Sequence, residues 1–339
     1  MKKILILCLI FISSIAWSQE QQARYIFYFI GDGMGPLHVE LGGGDSLSFT
    51  SFPAQGTLTT YSASAKVTDS AAGGTALATG SKTANGTLGM NADHSAPLYS
   101  VAVDAHQKGL KVGILTTVSI DHATPAAFYA HVPKRTMAHA IAQQLPTTGF
   151  ELFAGAGFVQ PEDLFSVFAD SAYTVVRGRG AILEGKKVIW IQDRGKNVGE
   201  LPYALDRKQD DMRLEEMTSS AIKFLTSDTS GFFMMIEGGK IDWAAHANNG
   251  KNIRGEVQDL SAAVAQAVEF YKAHPNQTLI IVTADHETGG LTLSPTRFST
   301  MDHTNTPVPI YALGVGAESF AGAKDNTSVA ATLRTLLPR

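Results

Sequence analysis

The chain has 339 residues, 44% of them hydrophobic and 17% charged, with a formal net charge of −4. This is ordinary globular material, long enough for one large domain or two small ones. The charge balance excludes a polybasic nucleic-acid or membrane-surface face, and there is no repeat period or low-complexity tract.

Lys2 and Lys3 lead into the apolar run ILILCLIFISSIAW, and Ala16 and Ser18 place small residues before Gln19. The pattern predicts a signal peptide over residues 1–18 and a secreted or periplasmic protein. The run falls short of the roughly 20 residues that span a bilayer, so no membrane association is expected. Cys8, the only cysteine, would leave with this leader. No internal disulfide is then available.

Buried strands are predicted at RYIFYFIG (24–31), KVGILTT (111–117), GFFMMIEGG (231–239), TLIIVTADH (278–286) and VPIYALG (308–314). Each is a short apolar run rich in aromatic or β-branched residues and followed by polar or glycine-rich sequence. Between them YSVAVDAHQKG, TMAHAIAQQL, MRLEEMTSSAIKFL and VQDLSAAVAQAVEFYKAH carry helical periodicity. The alternation predicts an α/β class chain, a three-layer α/β/α sandwich around a central, mostly parallel sheet. Residues 19–339 are expected to form a single domain, with the irregular stretch at about 150–210 as a short covering insertion.

Ligands gather beyond the carboxyl ends of such strands. Asp32 stands there, and so do Glu237, Asp285 and His286, more than 200 residues further along the chain. In EGGKIDWAAH, Asp242 and His246 are spaced i to i+4, so one helical turn puts both on one face. His303 precedes the last buried strand. Five other histidines, His38, His94, His106, His139 and His274, fall on predicted loops or helix surfaces and receive no role. Carboxylates and imidazoles without a thiolate suit zinc, and an all-oxygen set suits magnesium. More ligands than one ion takes imply more than one ion.

Six blocks then resemble the bacterial alkaline phosphatases: GDGMG (31–35), TDSAAGGTALATG (68–80), HATPAAFYAHVPKR (122–135), EGGKIDWAAH (237–246), TADHETGG (283–290) and DHTNTPVPIYALGVGA (302–317). The resemblance implies an alkaline-phosphatase-like fold and hydrolysis of small phosphate monoesters to inorganic phosphate. It makes Ser70 the nucleophile and Arg135 the phosphate clamp. It implies two Zn2+ and one Mg2+ per chain: Asp242, His246 and His303 on one zinc, Asp32, Asp285 and His286 with Ser70 on the second, and Glu237, Thr124 and Asp32 on magnesium. A homodimer or a monomer is compatible with it.

His122 and Trp243 depart from the best-known bacterial pattern, which has aspartate and lysine there. His122 is expected at or behind the third metal site and Trp243 beside the phosphate; Asp121 is the alternative to His122, but in an extended segment its side chain faces elsewhere. Asp69 is read as the cap of a helix that begins at Ser70, and as a partner for Arg135. A phosphodiesterase of the same superfamily and a non-catalytic metal- and phosphate-binding protein are the alternatives. TGSKT (79–83) fails the spacing of a nucleotide-binding P-loop.

Overall fold

The structure is a computed structural model describing residues 22–161, 163–181, 183–192 and 199–339. The predicted leader lies outside the described residues. In chain order the strands are β1 (Tyr25–Gly31), β2 (Ala54–Thr59), β3 (Lys111–Thr116), β4 (Leu152–Gly155), β5 (Thr174–Arg177), β6 (Val188–Ile191), β7 (Phe232–Gly238), β8 (Thr278–Thr283), β9 (Glu287–Thr288), β10 (Leu291–Leu293), β11 (Thr296–Phe298), β12 (His303–Thr304), β13 (Val308–Gly314) and β14 (Gly322–Asp325). Ten of these described strands form one sheet in the order β14-β2-β13-β8-β1-β7-β3-β4-β6-β5. The two short pairs β10-β11 and β12-β9 stand apart from it.

The centre of the sheet follows from composition. All seven residues of β1 are buried, and so are those of β7 and β8, because helices cover both faces. The helices are α1 (Pro36–Gly42), α2 (Ser70–Thr79), α3 (Val101–Gln107), α4 (Ala123–Ala126), α5 (Ala138–Gln144), α6 (Leu164–Asp170), α7 (Leu214–Leu225), α8 (Lys240–His246), α9 (Gly250–Ala273) and α10 (Thr327–Leu336). Alternation along β1 separates the layers. Phe27 packs on Phe270 of α9, whereas Tyr28 meets Phe128 and hydrogen-bonds Leu77 O of α2. Neighbouring residues face opposite sides of a strand, so α9 and α2 cover opposite faces.

Several expectations change. The strand predicted over 278–286 ends at Thr283, so Asp285 and His286 belong to the turn beyond it. β13 runs antiparallel to both β8 and β2. The last long helix begins at Gly250, where the Asn249 side chain accepts from Asn252 N at 3.1 Å. Within the stretch expected as a covering insertion, β4, β6 and β5 extend the sheet in parallel beside β3. Those strands are four residues each, too short to show a clear periodicity. His38 is fully buried in α1 and not at a surface. Its Nδ1 accepts from Gly35 N at 3.2 Å and lies 3.9 Å from Glu287.

Helix α2 is buried on every side, from Ser70 to Thr79. Small residues let it sit close beneath the turn after β8. At Gly73 an added Cβ would stand 2.8 Å from Asp285 O and 3.3 Å from Asp285 Cβ. Two effects compete in Gly73→Ala. Helix propensity favours alanine by about 1 kcal/mol, while overpacking against backbone costs about 1–3 kcal/mol. We expect net destabilisation, read as a lower urea midpoint at unchanged slope; a raised midpoint would contradict this packing.

Candidate active site

β8, β1, β7 and β3 are adjacent, parallel and in register, with Ile30 beside Glu237 and Thr283, and Thr116 beside Glu237. Their carboxyl ends therefore deliver Asp32, Glu237 and Asp285 to one place. Gly33 lets the chain turn after β1: its φ is +73°, and an added Cβ would lie 2.8 Å from Thr288 Oγ1 and 2.9 Å from Asp242 Cα. Its N–H donates to Asp285 Oδ1 at 3.2 Å.

Three groups of ligand-type side chains gather within 4.8 Å: Asp242, His286 and His303; Asp32, Asp285 and His286; and Asp32, His122 and Glu237. His286 Nε2 is 3.4 Å from both Asp32 Oδ1 and Asp285 Oδ2, and 3.2 Å from Ser70 Oγ. His246 Nε2 stands 3.3 Å from Asp242 Oδ2 and 3.2 Å from His303 Nε2. Thr124 Oγ1 reaches Asp32 Oδ2 at 3.4 Å and Asp285 Oδ2 at 3.5 Å. All residues singled out in the sequence as ligands thus converge.

Asp69 caps α2 by accepting from Ala72 N at 3.0 Å, and also accepts from Gly86 N at 3.0 Å. Its Oδ2 meets Arg135 Nη1 at 3.2 Å, while Arg135 Nη2 lies 3.3 Å from His122 Nε2. Trp243 contributes no ligand atom; its ring stands edge-on to His122, centroids 6.1 Å apart. Asp121 turns away and accepts from Val159 N at 3.0 Å.

Other groups orient these ligands. His303 Nδ1 donates to Thr68 O at 2.9 Å and His246 Nδ1 to Met301 O, so each ring turns Nε2 inward. Thr288 Oγ1 donates to Asp242 Oδ1 at 2.6 Å and lies 3.2 Å from His286 Nδ1. Thr116 Oγ1 donates to Glu237 Oε2. Sequence reasoning missed both threonines. Thr288 had a signal in its place two residues beyond His286; Thr116 is brought in by strand register alone.

The electrostatics are those of buried carboxylates. Burial, then Asp285, Asp242 and Glu237, pushes Asp32 well above the usual range. Burial raises Asp285 to about 7 and Glu237 to about 8. Burial would raise Asp242 too, but the His246 hydrogen bond and the charges of His286 and His303 hold it low. The same bond to Asp242 lifts His246 to about 9. Burial lowers His122 to about 3 and holds His286 well below its ordinary value.

Asp32 Oδ1, Glu237 Oε1 and His122 Nδ1 are buried without a hydrogen-bond partner. Leaving such atoms unpaired is costly, and a hard cation among them would repair it. The donor chemistry fits bound metal ions.

The sequence model of the alkaline phosphatase family matches residues 23–151 and 197–301. The chain belongs to that family. Alkaline phosphatase 4 of Bacillus subtilis (strain 168) is 35% identical over 81% of this chain and 63% of its own length. Alkaline phosphatase 3 of the same organism is 35% identical over 67% of this chain, which spans only 50% of it. Among solved structures, the alkaline phosphatase of the Antarctic bacterium TAB5 superposes with a TM-score of 0.86 at 31% identity, over 95% of this chain and 100% of that one. A variant of that enzyme, with a histidine replaced by glutamate and Mg bound in its M3 site, gives 0.86 at 29% identity with the same coverage. The fold class is thereby that of the alkaline phosphatases.

Metal-free protein should show the cost of these carboxylates. Glu237 and Asp285 have folded pKa values of about 8 and about 7, above their unfolded values, so their stabilising proton is lost as pH rises. His246, raised to about 9, acts in the same direction, while the lowered histidines are neutral in both states above about 6.5. The melting temperature of the metal-free protein should therefore fall between about pH 6.5 and 8, and zinc plus magnesium should abolish the fall. A flat or rising profile without metal would contradict the assignment.

Proposed function

We propose that the chain is a metal-dependent phosphomonoester hydrolase, an alkaline phosphatase acting through a phosphoserine on Ser70. One observation carries the reading: Ser70 Oγ stands at the amino end of α2, 3.2 Å from His286 Nε2, beside four buried carboxylates. Asp242, His246 and His303 would hold one Zn2+, and Asp32, Asp285 and His286 with Ser70 a second. Glu237, Thr124 and Asp32 would hold Mg2+, with His122 3.9 Å from Glu237. Bound there, the ions would supply charge neutralisation and lower the pKa of a hydroxyl or a water.

The residues of the chain supply the rest. Arg135, fixed by Asp69, offers two N–H groups of its planar fork to non-bridging phosphoryl oxygens. The α2 amino terminus adds a favourable field for the anionic group. Ser70 Oγ gives up its proton and bonds to phosphorus as the bond from phosphorus to the ester oxygen breaks, and that oxygen gains a proton to leave as the alcohol. Water then cleaves the Oγ–P bond, returning the serine and inorganic phosphate. A monoester dianion presents three free oxygens to this end of the site, which favours monoesters over diesters. Among the described residues no helix is long and apolar enough to cross a membrane. We read residues 1–18 as a leader for export and residues 19–339 as one phosphatase unit.

Ser70→Ala should retain metal and bind phosphate while turnover of an aryl phosphate falls by about three orders of magnitude or more. Near-normal turnover would refute the nucleophile. Exhaustive chelation should abolish activity, and zinc with magnesium should restore it; activity surviving verified metal removal would refute metal dependence. Faster cleavage of a bis-aryl phosphate than of the monoester would favour the diesterase.

A further inference from the structure

Lys240 begins α8, two residues before Asp242, and is only 2% exposed. Its ammonium lies 4.1 Å from the Tyr203 ring centroid and 4.6 Å from that of Trp243, and it pairs with Glu200. An ammonium within about 6 Å of an aromatic face is drawn to it. Two faces and a carboxylate therefore enclose this cation.

The enclosure is built from both sides. Gly239 N donates to Thr117 Oγ1 at 3.0 Å, and Leu201 N to Thr117 O at 2.9 Å, so one residue after β3 holds both the start of α8 and the returning chain. Glu200 forms an antiparallel bridge with Val118. Further on, Ala204 N donates to Glu256 Oε1 at 2.6 Å and Arg207 Nη1 to Asp259 Oδ2 at 2.7 Å, pinning this segment to α9. From Trp243 the contacts continue to His122, edge to face, and from His122 Nε2 to Arg135 Nη2 at 3.3 Å.

We propose that Lys240 is a positioning residue for phosphate binding: caged by Glu200, Tyr203 and Trp243, it holds the Trp243 indole against His122 and, through His122, the guanidinium of Arg135. The inference rests on the reading of Arg135 as the phosphate clamp. The His122 ring lies between two charged neighbours, with Arg135 Nη2 3.3 Å from its Nε2 and Glu237 Oε1 3.9 Å from its Nδ1. An indole fixed by the cation beneath it limits how far that ring swings between them. Segment 200–207 thereby acts on the phosphate end of the site without touching it.

Lys240→Met keeps the aliphatic stem and removes the charge. The Glu200 side chain left behind is 44% exposed and can be hydrated, so no buried charge is stranded. Tyr203→Leu, which opens the cage without altering α8, is the second variant. The metal-loaded enzymes are titrated calorimetrically with inorganic phosphate and assayed on an aryl phosphate. Each variant should bind phosphate about three- to tenfold more weakly and raise KM in proportion, with kcat and metal content nearly unchanged. The parent minus Trp243→Phe difference in fluorescence should respond to phosphate, and Lys240→Met should reduce that response. Phosphate affinity unchanged in both variants, with only a lower melting temperature, overturns the proposal alone. A parent enzyme that binds no phosphate overturns the phosphatase reading and the proposal with it.

Discussion

Four carboxylates buried in one cluster, Asp32, Glu237, Asp242 and Asp285, set the terms for the rest of the molecule. Taking such charges out of water without partners is prohibitive, so each must hold a proton, meet an imidazole or meet a cation. The protein distributes these outcomes unevenly. Asp242 has His246 and His303 around it and is held low, whereas Asp32, Glu237 and Asp285 are pushed up by burial and by one another. A site with that imbalance suits bound metal ions, in keeping with a metal-dependent family.

The sheet exists in a form that makes this burial possible. Three adjacent parallel strands in register bring three acids to a common level, and apolar layers on both faces keep water from their flanks. Helix α2 must approach the same level from one side to deliver Ser70. Its alanines and glycines allow the approach that a leucine-rich helix would block, which is why a helix so poor in large side chains is buried throughout. Another wall is assembled from α8, with Trp243 and Lys240, and from residues 200–203.

Much of the site was legible because its residues carry local signatures. Asp69 caps a helical run that opens at Ser70, Asp242 and His246 share a helical face, and Asp32 and Glu237 punctuate apolar strands. The contributions of Thr116, of the carbonyls of Thr68 and Met301, and of the Lys240 cage were not. A carbonyl that fixes a histidine tautomer has no residue identity to read, and Thr116 matters only because register sets it opposite Glu237. His38 was misplaced for a related reason: a seven-residue helix shows too little periodicity to reveal its inward face.

The sequence by itself determined the α/β layers, the places of the buried strands along the chain and the identity of the residues at their ends, since burial on both faces of a strand leaves a continuous apolar run that stops where chemistry begins. Family membership was likewise carried by six contiguous blocks. Tertiary structure alone decided that β4, β6 and β5 extend the sheet, that β13 runs antiparallel, and that Glu200 and Tyr203 return to enclose Lys240. These depend on contacts between segments far apart in the chain, where pairing is chosen by shape and register across the whole fold and leaves no periodic trace in either segment.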